Sequence, residues 1–151
     1  MPEPFRHRIR VRFNECDGQG VVFYANYLMY FDVAMTELWR AAFGGGYAVM
    51  IENGTDAMVA EAGIRYLAPA RFDDEIDLVV SVIRVGTTSA VVQVAVERAG
   101  DGERLVEGHL RHVFVDTASY RKREIPPHAR EGLTRYLVDP AREGEPDPAR
   151  G

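Results

Sequence analysis

The sequence predicts an α+β domain in which one long apolar helix packs on a five-stranded antiparallel sheet. Five segments alternate polar and apolar residues with a period of two, and one early segment carries apolar residues at helical spacing. Short connections between the last four segments favour antiparallel neighbours, because a parallel pair needs a crossover of a dozen or more residues. A helix segregated to one face of such a sheet is an α+β arrangement.

Composition and charge exclude several classes of protein. A chain of 151 residues is the usual size of one domain. The net charge of -5 disfavours nucleic acid as the main partner, because non-specific binding to it depends on Lys and Arg that neutralise phosphates. The single cysteine, the lack of an apolar signal segment and the absence of long apolar runs predict a cytoplasmic protein without a membrane partner.

The first strand and the long helix are predicted from a change of period. Residues 7–13 alternate arginines with Ile9, Val11 and Phe13, which is typical of a half-buried strand. Residues 23–43 are predicted to be helical, and the three glycines at 44–46 should end the helix. At 100° per residue, one wide apolar face of this helix carries Tyr24, Tyr27, Leu28, Phe31, Ala34, Met35, Leu38, Trp39 and Ala42.

Four more strands are predicted over residues 57–67, 75–85, 89–98 and 104–116, and we expect them to form a meander. Residues 47–53 are predicted to form either a short helix or an irregular connection, and a weak helical pattern covers residues 129–137. The polar, proline-rich tail at 139–151 is predicted to be disordered, which leaves residues 1–138 as the domain. The core-facing strand residues are predicted to be Ile76, Leu78, Val80, Val82, Ala90, Val92, Val94, Val96, Val106, Leu110 and Phe114, with Gly108 among them.

The loop between the first strand and the helix carries the chemistry. Asp17 lies shortly before the helix N-terminus, where free N–H groups and the helix dipole favour negative charge. The same N-terminus would stabilise an oxyanion on a substrate carbonyl. A carboxylate beside such donors supplies the nucleophile or base and the oxyanion stabiliser that attack on an ester-like carbonyl requires. The alternative is that Asp17 only caps the helix or a turn.

Three stretches of the sequence resemble a known family. They are F-x-x-C-D-x-x-G-V-V-F-Y-x-N-Y-L-x-Y-F-D at 13–32, R-Y-L-A-P-A-R at 65–71 and V-F-V-D at 113–116. They resemble the 4-hydroxybenzoyl-CoA thioesterase family of hotdog-fold enzymes, and the likeness runs over residues 7–137. The resemblance implies a central helix wrapped by an antiparallel sheet, and homodimers that often pair into tetramers.

The resemblance also implies hydrolysis of an acyl-CoA thioester without a metal or a redox cofactor, coenzyme A being part of the substrate. Asp17 matches the family's nucleophile or general base, and Tyr24 matches the position whose backbone N–H binds the thioester oxygen. Gly20 and Val21, in the same loop, are assigned to substrate binding. Many bacterial members have histidine at the position of Tyr24, a difference that preserves the backbone role.

Two further acids are candidates for the substrate site. Asp32 matches a family position near the phenol of a hydroxybenzoyl group, which hints at an aromatic acyl substrate. The favoured alternative is a solvated or ion-paired helix residue. It lies eight residues beyond Tyr24, about 12 Å along the helix. Glu61 could be a second carboxylate near the site, although structural pairing, with Arg65 as the suggested partner, is the favoured interpretation.

Thr88 and Ser89 lie in a turn that resembles a family segment in contact with the CoA nucleotide. The family's adjacent basic residues are replaced here by Gly86 and Thr87, so the phosphate contacts are left open among Arg71, Arg84, Arg121 and Lys122. Arg71 is included among the substrate-binding residues.

Cysteine and histidine are not expected to be catalytic here. Cys16 abuts Asp17 but has no histidine nearby in the sequence, so it is predicted to be buried filler. His109 and His112 are three residues apart in a strand, which predicts opposite faces and no shared metal ion.

The sequence therefore predicts an acyl-CoA thioesterase. The alternatives are a non-catalytic hotdog module that binds acyl-CoA or an acyl carrier, and a hotdog dehydratase. A binding module has no need for an ionised group beside the scissile carbonyl, and a dehydratase would require a histidine that the helix entrance lacks.

Overall fold

A computed structural model describes residues 2–138, so the predicted disorder of residues 139–151 lies outside the described chain. The strands are β1 (Phe5–Arg10), β2 (Thr55–Tyr66), β3 (Glu75–Val85), β4 (Ser89–Arg98) and β5 (Arg104–Asp116). The helices are α1 (Asn26–Ala42), α2 (Gly46–Glu52) and α3 (Pro127–Thr134). The bounds predicted for β3, β4 and β5 are confirmed, and so is the short helix after the glycines.

The five strands form one antiparallel sheet in the order β1-β3-β4-β5-β2. The predicted four-stranded meander is therefore wrong for one strand. β2 pairs with β5 rather than with β3, its neighbour in sequence. The segment between β2 and β3 crosses from one edge of the sheet to the strand next to the other edge, which leaves β3, β4 and β5 as the meander.

Helix α1 fills the centre of the sheet. Its buried residues are Tyr27, Tyr30, Phe31, Ala34, Met35, Leu38, Trp39 and Ala42. Burial of Tyr24 and Leu28 was predicted wrongly: both are exposed, and α1 begins at Asn26 rather than near residue 23. Tyr30, which the predicted face omitted, is 1% exposed. The buried face therefore includes Tyr30 and excludes Tyr24 and Leu28.

The helix packs very closely on the sheet at Gly108 of β5. A Cβ atom there would lie 2.8 Å from the Phe31 ring and 2.2 Å from the carbonyl oxygen of Gly63. Glycine is therefore required at this position, because real Cβ contacts are longer. The predicted core residues of β3 and β4 are all buried.

Both edges of the sheet differ from the simple alternation. β1 ends at Arg10, and Phe13 lies in a single 3₁₀ turn, Phe13–Glu15, where it is 79% exposed rather than buried. β2 carries a bulge between Val59 and Glu61, so its residues change face along the strand.

No helix within residues 2–138 is long and apolar enough to cross a membrane.

Candidate active site

The loop before α1 is a small antiparallel hairpin. The Asp17 N–H donates to the Val21 carbonyl at 2.9 Å, and the Phe23 N–H donates to the Glu15 carbonyl at 3.0 Å. Between them Cys16 and Val22 form an antiparallel bridge. At the tip, Gly20 has a φ of 78°, which L side chains adopt only with strain. The hairpin places Asp17 at its tip and the start of α1 at its base.

Asp17 is exposed at this tip. Its Oδ1 accepts the Gln19 N–H at 2.8 Å, and its own carbonyl accepts the Gly20 N–H at 3.1 Å. The predicted turn-capping role is therefore present. It occupies one carboxylate oxygen only, because Oδ2 accepts no hydrogen bond within residues 2–138. That second oxygen is open to a substrate or a water molecule.

The backbone at Tyr24 is oriented by its neighbours. The Tyr24 carbonyl accepts the Tyr66 hydroxyl at 3.1 Å, and the Phe23 carbonyl accepts the Asn26 N–H at 2.9 Å. The second bond polarises the peptide whose N–H belongs to Tyr24, since hydrogen bonds in a chain strengthen each other. Among the described residues the Tyr24 N–H has no acceptor. It is a fixed, unoccupied donor at the helix entrance.

Glu15 is a buried acid that the sequence analysis missed. It is 5% exposed, and its Oε1 accepts both the Arg12 N–H at 2.8 Å and the Tyr30 hydroxyl at 3.1 Å. Oε2 accepts the Arg12 guanidinium at 3.1 Å. The Glu15 carbonyl also accepts the Asn26 side-chain amide at 2.8 Å. The spacing of Arg12 and Glu15 is that of a capping box, the one signal in the sequence that could have identified it.

Three predicted substrate-binding residues lie together beside Asp17. Val21 forms a bridge with Arg71, and the Gly20 carbonyl accepts the Phe72 N–H at 3.0 Å. The Arg71 backbone N–H is fixed by Asp74 at 2.9 Å, whereas its guanidinium makes no hydrogen bond or ion pair with the rest of residues 2–138. An exposed, uncommitted cation therefore lies beside the hairpin.

The other predicted nucleotide-binding residues lie far from this group within one chain. Thr88 and Ser89 occupy the turn after β3, where the Gly86 N–H donates to the Ser89 carbonyl at 2.8 Å. The hairpin contacts the segment just before β3, so all 11 residues of that strand, roughly 35 Å of extended chain, separate the two places. The structure does not bring Thr88 and Ser89 to Asp17.

Asp32 is exposed on α1, and its charge acts on the Tyr47 phenol. The Tyr47 hydroxyl donates to Asp56. Burial, the hydrogen bond to Asp56 and the negative charges of Asp56 and Asp32 raise the pKa of Tyr47. The charge of Asp32 is the smallest of these contributions.

Glu61 pairs across the sheet rather than along its own strand. Its carboxylate lies 3.0 Å from His109 Nε2 and 3.6 Å from Arg111 Nε. The hydrogen bond from His109 lowers the pKa of Glu61. The suggested partner Arg65 was wrong, since Arg65 lies 3.5 Å from Glu107 instead. The bulge in β2 and the pairing with β5 account for the difference.

The predicted placement of the two strand histidines is confirmed. His109 lies on the face that pairs with Glu61, whereas His112 is 4% exposed and contacts Trp39 at a ring distance of 5.7 Å. Burial lowers the pKa of His112 to about 4. Cys16 is half-buried, and burial followed by the charges of Asp17 and Glu15 raises its thiol pKa. A raised pKa disfavours the reactive thiolate.

A central helix within a five-stranded antiparallel sheet, entered through a hairpin with an exposed carboxylate, defines a hotdog-fold enzyme. The model of the thioesterase superfamily matches residues 19–104, more than half of the chain. A protein of Escherichia coli O6:H1 named acyl-CoA thioester hydrolase YbgC is 30% identical over 122 residues, which span 81% of this chain and 90% of that protein. The chain belongs to the thioesterase superfamily.

Solved structures agree with this assignment. A hypothetical protein from Aquifex aeolicus superposes with a TM-score of 0.80 at 26% identity, covering 86% of this chain and 99% of that one. A hypothetical protein from Thermus thermophilus superposes with a TM-score of 0.77 at 28% identity, covering 87% and 98%. The predicted hotdog fold is confirmed. The family match begins two residues after Asp17, so the role of Asp17 depends on the geometry of the hairpin.

Proposed function

We propose that the chain hydrolyses acyl-CoA thioesters, with Asp17 as the nucleophile or general base. The observation that supports this is a pair of groups on one fixed loop, the Asp17 Oδ2 atom and the Tyr24 N–H, that make no hydrogen bond with the described part of the chain. Thioester hydrolysis needs a carboxylate or activated water to attack the carbonyl carbon, and a donor for the oxygen that becomes negative. The name of the E. coli relative supports coenzyme A as the thiol.

Two routes use these groups in different ways. In one, Asp17 attacks the carbonyl carbon, the C–S bond breaks, and water then hydrolyses the resulting anhydride. In the other, Asp17 removes a proton from a water molecule that attacks directly. In both routes the Tyr24 N–H stabilises the oxyanion and CoA departs as the thiolate. The thiolate takes its proton from water in the first route and from the protonated Asp17 carboxyl in the second, and the acyl group leaves as the carboxylate. Arg71, which lies next to Val21 and lacks an ion pair within residues 2–138, is the cation we assign to the substrate.

Turnover of a panel of acyl-CoA thioesters tests the proposal. The panel contains 4-hydroxybenzoyl-CoA, a short aliphatic thioester such as hexanoyl-CoA and a long aliphatic one. We expect hydrolysis with a preference for the aromatic substrate, as in the 4-hydroxybenzoyl-CoA subfamily that the sequence resembles. A panel that stays at the uncatalysed rate while the thioesters still bind would support the non-catalytic module instead.

Asp32→Ala is expected to reduce hydrolysis of 4-hydroxybenzoyl-CoA by about tenfold and of hexanoyl-CoA by much less, because only the first carries a hydroxyl that can donate to Asp32. The support for this role is that Asp32 is exposed on α1 and matches the family position near the phenol of a hydroxybenzoyl group. The measurement is kcat/KM for both substrates. Equal losses would remove Asp32 from acyl recognition and leave the hydrolase itself unaffected.

We also propose that the chain acts as a homodimer or as a homotetramer. Near the hairpin Phe23, Tyr24 and Leu28 are exposed, and β2 is an edge strand with exposed Met58 and Val59. Exposed apolar residues on an unpaired edge are typical of an interface. Sedimentation at micromolar concentration is expected to show a dimer or tetramer, and a monomer there would contradict the proposal.

A further inference from the structure

We propose that Glu15 and Tyr30 form a positioning pair that fixes the Asp17 hairpin relative to the oxyanion donor at Tyr24. This inference rests on the proposed hydrolase function and names residues that act through others. Glu15 is two residues before Asp17 in the chain, and Tyr30 lies in the second turn of α1. Their hydrogen bond, 3.1 Å long and buried, joins the loop to the second turn of the helix.

The backbone of Glu15 directly controls the helix entrance. Its carbonyl accepts the Phe23 N–H at 3.0 Å and the Asn26 side-chain amide at 2.8 Å. Phe23 precedes Tyr24, and Asn26 is the first residue of α1. A rotation of the Glu15 peptide would therefore move the base of the hairpin, with Asp17 on one side and the Tyr24 N–H on the other.

The side chain of Glu15 prevents that rotation. Its two oxygens accept the Arg12 backbone N–H, the Arg12 guanidinium and the Tyr30 hydroxyl. Tyr30 is 1% exposed and cannot turn away from the carboxylate, and burial together with Glu15 raises the pKa of its hydroxyl. The phenol therefore stays protonated and continues to donate.

Stability alone is a weak reason for this arrangement. Burying an acid is costly unless every oxygen is paired, and an apolar pair of the same volume often stabilises a protein equally well. A glutamine would also complete the capping box with Arg12. A buried, fully paired acid two residues from a proposed catalytic carboxylate is explained by the precision that catalysis needs, since small misplacements of reacting groups are costly.

The test compares Glu15→Gln and Tyr30→Phe with Val94→Ala. Both test variants are nearly isosteric, and Val94 is a buried β4 residue whose truncation lowers stability without touching the hairpin. Well below the melting temperature, we expect kcat to fall about tenfold to a hundredfold in both test variants with little change in KM. The double variant should be no slower than the slower single one, because the two residues act as one unit. Val94→Ala should lower the melting temperature and keep the wild-type kcat.

A second measurement does not depend on turnover. Amide hydrogen exchange at Phe23, whose N–H is bonded to the Glu15 carbonyl, is expected to accelerate in Glu15→Gln and Tyr30→Phe but not in Val94→Ala. Wild-type kcat in both test variants, or unchanged Phe23 exchange, would overturn the positioning role. Asp17→Asn is measured alongside. Full activity in that variant would refute the catalytic proposal, whereas the exchange result would still decide the positioning one.

Discussion

Asp17→Asn is expected to lower thioester turnover by about a hundredfold or more, the scale of losing a group that acts in the transition state. Asparagine keeps an oxygen that can accept the Gln19 N–H, so the turn at the hairpin tip remains closed. It removes the negative charge and with it both the nucleophile and the base. The variant therefore distinguishes a catalytic role for Asp17 from a role in closing the turn, the two alternatives that the sequence left open. The measurement is kcat and kcat/KM on the best substrate of the panel, with the fold checked by circular dichroism.

Asp116→Asn is the matched control for this experiment. Asp116 also closes an exposed turn, because its Oδ1 accepts the Ala118 and Ser119 N–H groups at 3.0 and 2.9 Å. It lies at the end of β5 and pairs with Thr55, away from the hairpin. We expect this variant to keep wild-type turnover. Wild-type turnover in Asp17→Asn would assign Asp17 to the turn alone and would require another group for the chemistry.

Local patterns predicted the strands well because their cause is local. In β3 and β4 each apolar residue at an even position faces the helix, and the bounds follow from the turns on either side. The strand order could not be predicted from local patterns, because the pairing of β2 with β5 depends on how the whole sheet closes around α1. A short connection between β2 and β3 suggested neighbours, but an eight-residue segment can cross the sheet when the helix is already in place. Nothing in the spacing of residues encodes that choice.

The site was predictable where a carboxylate and a helix entrance are adjacent in sequence. Asp17 and Tyr24 are seven residues apart, so their joint placement on one loop required no knowledge of the fold. Glu15 was missed because its burial depends on Tyr30, fifteen residues further on, and on a helix face rotated from the predicted one. The partner of Glu61 was wrong for the same reason: His109 and Arg111 reach it only through the strand order.

His112 is expected to make the protein less stable as the pH falls from about 6.5 to about 4. The buried imidazole titrates near 4 in the folded chain, whereas an unfolded histidine titrates near 6.5. Between these values the unfolded state binds more protons, so acid favours unfolding. The difference of roughly 2.5 pKa units corresponds to about 3 kcal/mol of unfolding free energy. The loss begins below pH 6.5 and is complete near pH 4.

His112→Phe isolates this contribution, because phenylalanine keeps an aromatic ring beside Trp39 and removes the titrating nitrogen. Among residues 2–138 the Nδ1 atom of His112 has no hydrogen-bond partner, so its removal breaks no bond there. Unfolding by urea at pH 7 and at pH 4.5 gives the free energy of both proteins, and the wild type should lose about 2 to 3 kcal/mol more than the variant. Each protein is compared with itself at the two pH values, so any effect of the larger ring on the unfolding free energy that does not depend on pH cancels. Equal losses in both proteins would contradict the prediction, because they would show that folding does not lower the pKa of His112. The protonated ring would then need a hydrogen-bond partner for Nδ1 that residues 2–138 do not provide.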